Sequence, residues 1–168
     1  MGRTGYLFAY QHDNVKPDVM TLAKALAGGP PIGAMIAREQ YAAALGPGSH
    51  GSTFGGNPLV TAAGIAAMKV LLEDGILDNC VAMGDYLLRK LGRLKEKYPF
   101  IVEVRGRGLM LGMELTINGG DIVKTALDRG LLINCTVGKV LRFLPPLIVT
   151  QAEIDQMLEI LDGIFSEL

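Results

Sequence analysis

The stretch GPGSHGSTFGGNP, residues 46–58, cuts the chain into two textures. It is dense in glycine and poor in branched aliphatics, so it reads as a long loop. Loops of that length in compact domains are usually functional or disordered. It ends on Asn57-Pro58, an N-cap residue followed by proline at the first helical position. The helix that starts there is expected to reach Asp74 and to stop at Gly75. It is apolar on most faces, which predicts a helix buried between layers. A second helix is expected from about Asp78 to Tyr98, halted by Pro99. Leu87, Leu91, Leu94 and Tyr98 recur four and three apart and form one apolar face. Arg89, Lys90, Arg93, Lys95 and Lys97 make its far end basic. That run reads as a solvated face near the negative helix terminus, with a nucleic-acid patch as the alternative.

Upstream, residues 1–18 read as loop with an irregular amphipathic piece, ending at Lys16-Pro17-Asp18. Val19–Ala23, a short buried strand, and Ile32–Ala37 are joined through Lys24 and the turn signal Gly28-Gly29-Pro30-Pro31. Arg38 to Tyr41 opens a short helix or turn. Downstream, Ile101–Val104 and Leu109–Leu115 read as strands separated by the loop RGRG. A helix from Asp121 to Arg129, closed by Gly130, follows the turn Asn118-Gly119-Gly120. Leu131–Asn134 and Val140–Leu144 read as further strands. Thr150 with Glu153 forms a capping box that opens a last helix to about Leu168. The second half reads as a small α+β unit with helices packed on one face of a sheet, and the expected boundary lies near residue 75, with the two helices as connection.

Hydrophobic residues make up 49% of the chain and charged ones 20%, with a formal net charge of −1. That balance gives a globular chain with no general pull towards nucleic acid or an anionic membrane. No apolar run reaches the roughly 18–20 residues of a membrane span. The opening MGRTGYLFAYQHDNVKPD is broken by charge and glycine, so no signal peptide is expected, and the cytoplasm is the expected compartment. Cys80 and Cys135 lie far apart and outside any CxxC, as suits a reducing compartment. Neither they nor His12 and His50 stand at metal-ligand spacing, so no metal is expected.

Three places can carry chemistry. Lys24 sits among apolar residues and is either a strand-end lysine reaching water or a Schiff-base lysine. Only a neutral amine attacks a carbonyl, and burial favours that form. In GSHGSTFGGNP, glycine N–H groups and the hydroxyls of Ser52 and Thr53 precede a helix N-terminus, which suits a phosphate as well as a plain flexible loop. Arg142 lies in the strand KVLRFLPPL, on the face opposite Leu141 and Phe143. A guanidinium there suits a carboxylate, or a structural ion pair.

The passages PDVMTLAKALAGGPPIGAM, HGSTFGGNPL and INCTVGKVLRFLPPLIV together resemble the class III (ornithine-type) aminotransferases, which use pyridoxal 5′-phosphate (PLP) on fold type I. The opening MGRTGYLFAYQHDNVKPD fits the same pattern, so the resemblance covers essentially the whole chain. It implies an α/β fold. Residues 1–74 would be the C-terminal part of the large PLP-binding domain, and 75–168 the small C-terminal α+β domain. It also implies that Lys24 holds the cofactor and shuttles the proton, and that Thr53 binds its phosphate from the neighbouring subunit of a homodimer. Ser52 would contact the acylated substrate, and Arg142 the α-carboxylate of glutamate or 2-oxoglutarate.

The wording stands nearest the acetylornithine branch. The implied reaction is exchange of an amino group between N-acetylornithine and 2-oxoglutarate in arginine biosynthesis, with ornithine, succinyldiaminopimelate or 4-aminobutyrate as alternative donors. Family members are more than twice as long. The Asp of their DEVQ-like segment, an upstream Gly-Thr phosphate loop and an aromatic residue that stacks on the ring have no counterpart here. The chain is therefore expected to be the C-terminal half, inactive alone. A non-catalytic small-molecule binding or oligomerisation domain is the reading from another class.

Overall fold

The computed structural model describes residues 1–168 and divides into two compact units. One comprises Met1 and Tyr6–Ile76, the other Gly2–Gly5 and Leu77–Leu168.

In the first unit, β1 (Val19–Leu22) and β2 (Ala34–Ala37) pair antiparallel, Val19 opposite Ala37 and Leu22 opposite Ala34. A 3-10 turn, Lys24–Ala27, follows β1, and a single helical turn α1 (Glu39–Ala42) follows β2. The expected buried strand is not buried: along β1 exposed and half-buried residues alternate, because a two-stranded ribbon has no second layer here to cover it. The helix α2 (Pro58–Glu73) begins as its signals dictate, the Asn57 side chain accepting from the N–H groups of Leu59 and Val60 at 3.1 and 3.2 Å. Gly75, with φ of 71°, stands just past its end. Its expected burial on most faces is also overturned. Only Val60, Gly64 and Leu71 are buried, whereas Leu59 is 77% exposed and Ile65, Val70 and Leu72 are open as well. Periodicity shows that a helix is apolar; it does not show that the same chain supplies the cover.

The second unit carries its own core. The helix α3 (Ile76–Lys97) buries Cys80, Gly84, Leu87, Leu91 and Leu94, and Tyr98 follows on the same face. Four antiparallel strands stand in the order β3-β4-β6-β5: β3 (Ile101–Arg107), β4 (Met110–Leu115), β5 (Asn134–Thr136) and β6 (Val140–Phe143). Leu111, Met113 and Leu115 alternate inwards on β4, as Leu141 and Phe143 do on β6. The helix α5 (Gln151–Phe165) contributes Ile154, Leu158, Leu161, Ile164 and Phe165. Each such side chain contributes about 1.5–3 kcal/mol relative to leaving it in water. The rings of Tyr98, Phe100 and Phe165 meet at centroid distances of 5.4–5.5 Å, joining the end of α3, the start of β3 and the end of α5.

Two expected boundaries move. RGRG is not a loop: β3 runs to Arg107 and the turn is the pair Gly108-Leu109, with Arg107 opposite Met110. Gly108 has φ of 52°, so a glycine stands at the first central position, as a II′-type hairpin requires. The strand expected over 131–134 is instead Asn134–Thr136. The helix α4 (Gly120–Asp128) consumes the intervening residues in its C-terminal cap. There Gly130 N–H donates to Leu127 and Leu131 N–H to Ala126, the Schellman pattern. Thr150 and Glu153 cap α5 reciprocally. Two of the five basic residues at the end of α3 are paired, Lys90 with Asp155 at 3.1 Å and Lys97 with Asp162 at 2.7 Å. No helix is long and apolar enough to cross a membrane, and no cluster of metal-ligating side chains is present.

Candidate functional site

Lys24 is built by the residues around it. Ala23 before it is extended, and Lys24 takes φ of 57°, in the left-handed region. A residue with a Cβ pays about 1–2 kcal/mol there. Such strain persists only where neighbours impose it, and it gathers at functional sites. The neighbours are Leu26 and Ala27, both buried, in a turn where Leu26 N–H donates to Ala23 and Gly28 N–H to Ala25. Gly64 on α2 lies under the Leu26 carbonyl, 3.8 Å from where its own Cβ would stand. Two apolar anchors thus hold the turn down while the lysine side chain faces out. Lys24 is exposed, so the residues of this chain do not supply the desolvation that its sequence context suggests.

Lys24 opens onto a cleft of about 720 Å³ that Gly29, Pro31, Gly33, Ser52, Phe54 and Gly55 also line. The glycine-dense loop is shaped by its own polar side chains. Ser52 Oγ accepts from Gly55 N–H at 3.0 Å, and Asn57 Nδ2 donates to the Phe54 carbonyl at 2.8 Å. A Cβ on Gly55 would come within 2.9 Å of the Ser52 side chain. Ser52 Oγ serves there as an acceptor. Thr53 is exposed and is not among the residues that line this cleft, so Lys24 and Ser52 come together and Thr53 does not join them. Phe54, 80% exposed at the same cleft, escaped sequence reasoning, because one aromatic among glycines carries no pattern.

Arg142 belongs to the second unit, on the exposed face of β6, with Leu141 and Phe143 buried on the other. Across the sheet Arg105, Gly112, Arg142 and Asn134 stand in one register row. Glycine in that row leaves the two arginines without a side chain between them. Arg105 is held by Glu103 and Glu114, each at 2.6 Å, whereas Arg142 makes no ion pair within the chain. Arg142 lines two clefts, one of about 530 Å³ shared with Thr4, Arg105 and Arg107, the other of about 470 Å³ shared with Leu132, Asn134 and Pro145. The spacing of Arg105 and Arg107, two apart in what proved to be a strand, was the signal that would have placed them on this face.

The family model "Aminotransferase class-III" matches residues 1–165. The chain is a member of the class-III aminotransferase family. Among its relatives, the acetylornithine aminotransferase of Methanocaldococcus jannaschii is 55% identical over the whole of this chain and 42% of its own length. That of Aquifex aeolicus is 52% identical over 96% of this chain and 41% of its own. Of solved structures, the ornithine aminotransferase of Toxoplasma gondii superimposes with a TM-score of 0.92 at 38% identity. It covers 99% of this chain, which spans 42% of that one. An acetylornithine aminotransferase from Elizabethkingia anophelis gives 0.91 at 32% identity, over 99% of this chain and 43% of its own. The chain therefore spans less than half the length of the curated relatives it matches.

The class-III aminotransferase family is PLP-dependent, on fold type I. The cleft can be tested against that cofactor by its donor set. A conformationally fixed, outward-facing amine suits an aldehyde, and a serine hydroxyl with glycine backbone suits a phosphate. No carboxylate lines the cleft to pair with a pyridine nitrogen. The residues present fit the aldehyde end of PLP, and in part its phosphate end.

Proposed function

We propose that this chain is the C-terminal portion of a PLP-dependent enzyme that exchanges an amino group between N-acetylornithine and 2-oxoglutarate, a step of arginine biosynthesis. The observation that carries the reading is Lys24, a lysine kept in the left-handed conformation at the mouth of a glycine-walled cleft. Residues 1–74 serve as the end of the large cofactor-binding domain and 75–168 as the small C-terminal domain. The enzyme works as a cytoplasmic homodimer, and this chain alone turns over no substrate.

Lys24 is the residue that bonds the cofactor and the base of the reaction. Its Nζ takes the proton from the substrate carbon that carries the amino group and returns one on the far side of the transfer. PLP, when bound, supplies the electron sink that stabilises negative charge at that carbon. Thr53 binds the cofactor phosphate from the partner subunit, through hydroxyl and N–H. Ser52 donates its hydroxyl proton to the acyl group of the donor. Arg142, unpaired within the chain, grips the α-carboxylate of glutamate or 2-oxoglutarate in bidentate fashion.

The test is to add PLP to the complete enzyme, reduce with borohydride and map the adduct by mass spectrometry. A pyridoxyl group on Lys24, absent from Lys24→Ala, is expected, with turnover lower in that variant by about 10³-fold or more. An adduct on another lysine refutes the assignment. Ornithine as donor is the second reading, favoured by the fold match to ornithine aminotransferases. Comparing kcat/KM for the two donors decides between them, and Ser52→Ala should weaken only the acylated one.

A further inference from the structure

Residues 2–5, Gly-Arg-Thr-Gly, lie far in sequence from the second unit and are nevertheless part of it. Three glycines make room for them. A Cβ on Gly108 would approach the Arg3 carbonyl to 2.6 Å, and one on Gly5 would strike Val81 at 2.5 Å. A Cβ on Gly84 of α3 would lie 2.4 Å from the Gly108 backbone. Leu109 N–H donates to the Arg3 carbonyl at 2.9 Å. The Arg3 guanidinium then bridges two carbonyls, Leu109 at 3.2 Å and Pro145 at 2.7 Å.

The second carbonyl matters because of what precedes it. The ladder between β4 and β6 ends at the pair Leu111–Phe143. Beyond it run Leu144, Pro145 and Pro146, two of which have no N–H to extend a sheet. The free carbonyls of this segment are taken up by side chains instead. Arg3 holds Pro145, and Asn79 Nδ2 donates to Leu147 at 2.8 Å and to Val149 at 3.2 Å. Arg142 lies in the sheet, opposite Gly112 and Asn134, three residues before Pro145, and the segment that continues its strand past the ladder is held to the second unit by these side-chain bonds. Thr4 of the same N-terminal segment lines the cleft that Arg142 lines. Partial burial disfavours the charged form of the Arg3 guanidinium, with Cys80 opposing that shift only in part.

We infer that Arg3 is a positioning residue for Arg142: by clamping the β3–β4 turn to the end of β6, it sets the guanidinium that receives the keto acid's carboxylate. The inference rests on the proposed role of Arg142. Arg3 touches no substrate and acts through the strand.

The experiment is steady-state kinetics of the complete PLP enzyme with Arg3→Lys, Arg3→Met, Arg142→Lys and the double variant Arg3→Met/Arg142→Lys. For Arg3→Met the KM for 2-oxoglutarate is expected to rise about five- to tenfold, the equilibrium worth of one hydrogen bond lost between a misplaced Arg142 and the carboxylate. The KM for N-acetylornithine and kcat stay within about twofold, inside the ordinary spread of surface changes. Arg3→Lys restores part of the loss. In the Arg142→Lys background Arg3→Met adds little, since coupled residues are not additive. Protection of Arg142 from phenylglyoxal by 2-oxoglutarate should weaken in Arg3→Met in step with KM. Equal losses for both substrates, or a lowered Tm with KM unchanged, overturn the inference and leave Arg3 a structural clamp only. If Arg142→Lys itself leaves the 2-oxoglutarate KM unmoved, the proposed function has failed at that residue, whatever Arg3 does. Should Arg3 variants not fold, Asn79→Ser loosens the same segment from its other side. It must then raise the 2-oxoglutarate KM selectively, and an unchanged ratio of the two KM values overturns the inference.

Discussion

The two units of this chain differ most in where their apolar residues end up. In the second, Leu87, Leu91, Met113, Leu141 and Leu161 are fully buried among residues of the same unit. In the first, only Leu26, Ala27, Val60 and Leu71 are buried apolar side chains, while Met35, Ile36, Leu59, Ile65 and Leu72 face out. Both have abundant hydrophobic sequence, but one closes on itself and the other does not. Contiguous exposed apolar surface marks a face meant for further protein. Lys24 thus belongs to the unit that leaves much of its apolar surface uncovered, and Arg142 to the unit that is self-sufficient in its core.

The largest effect that tests this contrast is truncation of a core leucine. Leu91→Ala should cost about 2–5 kcal/mol, by lost transfer energy and the cavity left behind. Leu59→Ala, on a side chain 77% exposed, should stay within about 0.5 kcal/mol. Urea unfolding of the intact chain followed by circular dichroism measures both. Equal losses would mean that the first unit has a core of its own.

Glycine replacements sharpen the comparison at the next level. A Cβ at Gly84 meets backbone at 2.4 Å, whereas Gly46 has nothing within 4 Å of its Cβ position and no positive φ. Gly84→Ala should therefore cost about 1–3 kcal/mol or more through overpacking. Gly46→Ala should be neutral, or stabilise by up to about 1 kcal/mol through the unfolded chain. Thermal melting of the two variants side by side reads the difference.

How far the sequence was legible follows the same division. Helix starts and stops were visible because single residues decide them: Asn57-Pro58, Thr150 with Glu153, Gly130 in its cap. The alternation at Leu141, Arg142 and Phe143 was visible because one strand face is buried by its own unit. RGRG looks like a loop because glycine so often punctuates a chain, but Gly106 sits inside the strand opposite Leu111 and only Gly108 turns. Burial of β1 and α2 was misjudged because apolar periodicity carries no information about which chain provides the covering layer. At the site, Lys24 stood out by composition, but its left-handed backbone did not. That conformation is imposed by Leu26 and Ala27 packing after it, not by any residue preference.

The polar clasp between α3 and α5 makes the second unit's stability depend on pH. Asp155 is held below the usual carboxylate range by hydrogen bonds from Tyr86 and Lys90, and Asp162 by those from Lys97 and Tyr98. Because the folded-state values lie below the unfolded ones, the contribution is complete above the unfolded pKa of about 3.9 and is lost as pH falls through the folded value. Lys90 is shifted upwards by its hydrogen bonds with Tyr86 and Asp155, and Lys97 by those with Asp162 and Tyr98, so this contribution is complete below the unfolded value of about 10.4 and is lost as pH rises through the folded ones. Asp155→Asn with Asp162→Asn should flatten the acid limb of a urea-midpoint-against-pH curve for the second unit. An unchanged limb would place the acid sensitivity elsewhere.

The smallest effect expected is a gain. Val137 stands at the tip of the β5–β6 hairpin with φ of 52°, followed by Gly138 at 73°, and it is 95% exposed. A turn with both central residues left-handed favours Asn-Gly, and a β-branched side chain is the worst choice for its first position. Since Val137 packs against nothing that its loss would expose, Val137→Asn should relieve strain without a compensating cost. The gain should be about 1 kcal/mol, readable as a shift of a few degrees in the melting temperature of the second unit. A loss instead would mean that the isopropyl group makes a contact in solution. The hairpin tip would then join the face of the first unit as surface kept apolar for another piece of protein, and the self-sufficiency of the second unit would stop at that turn.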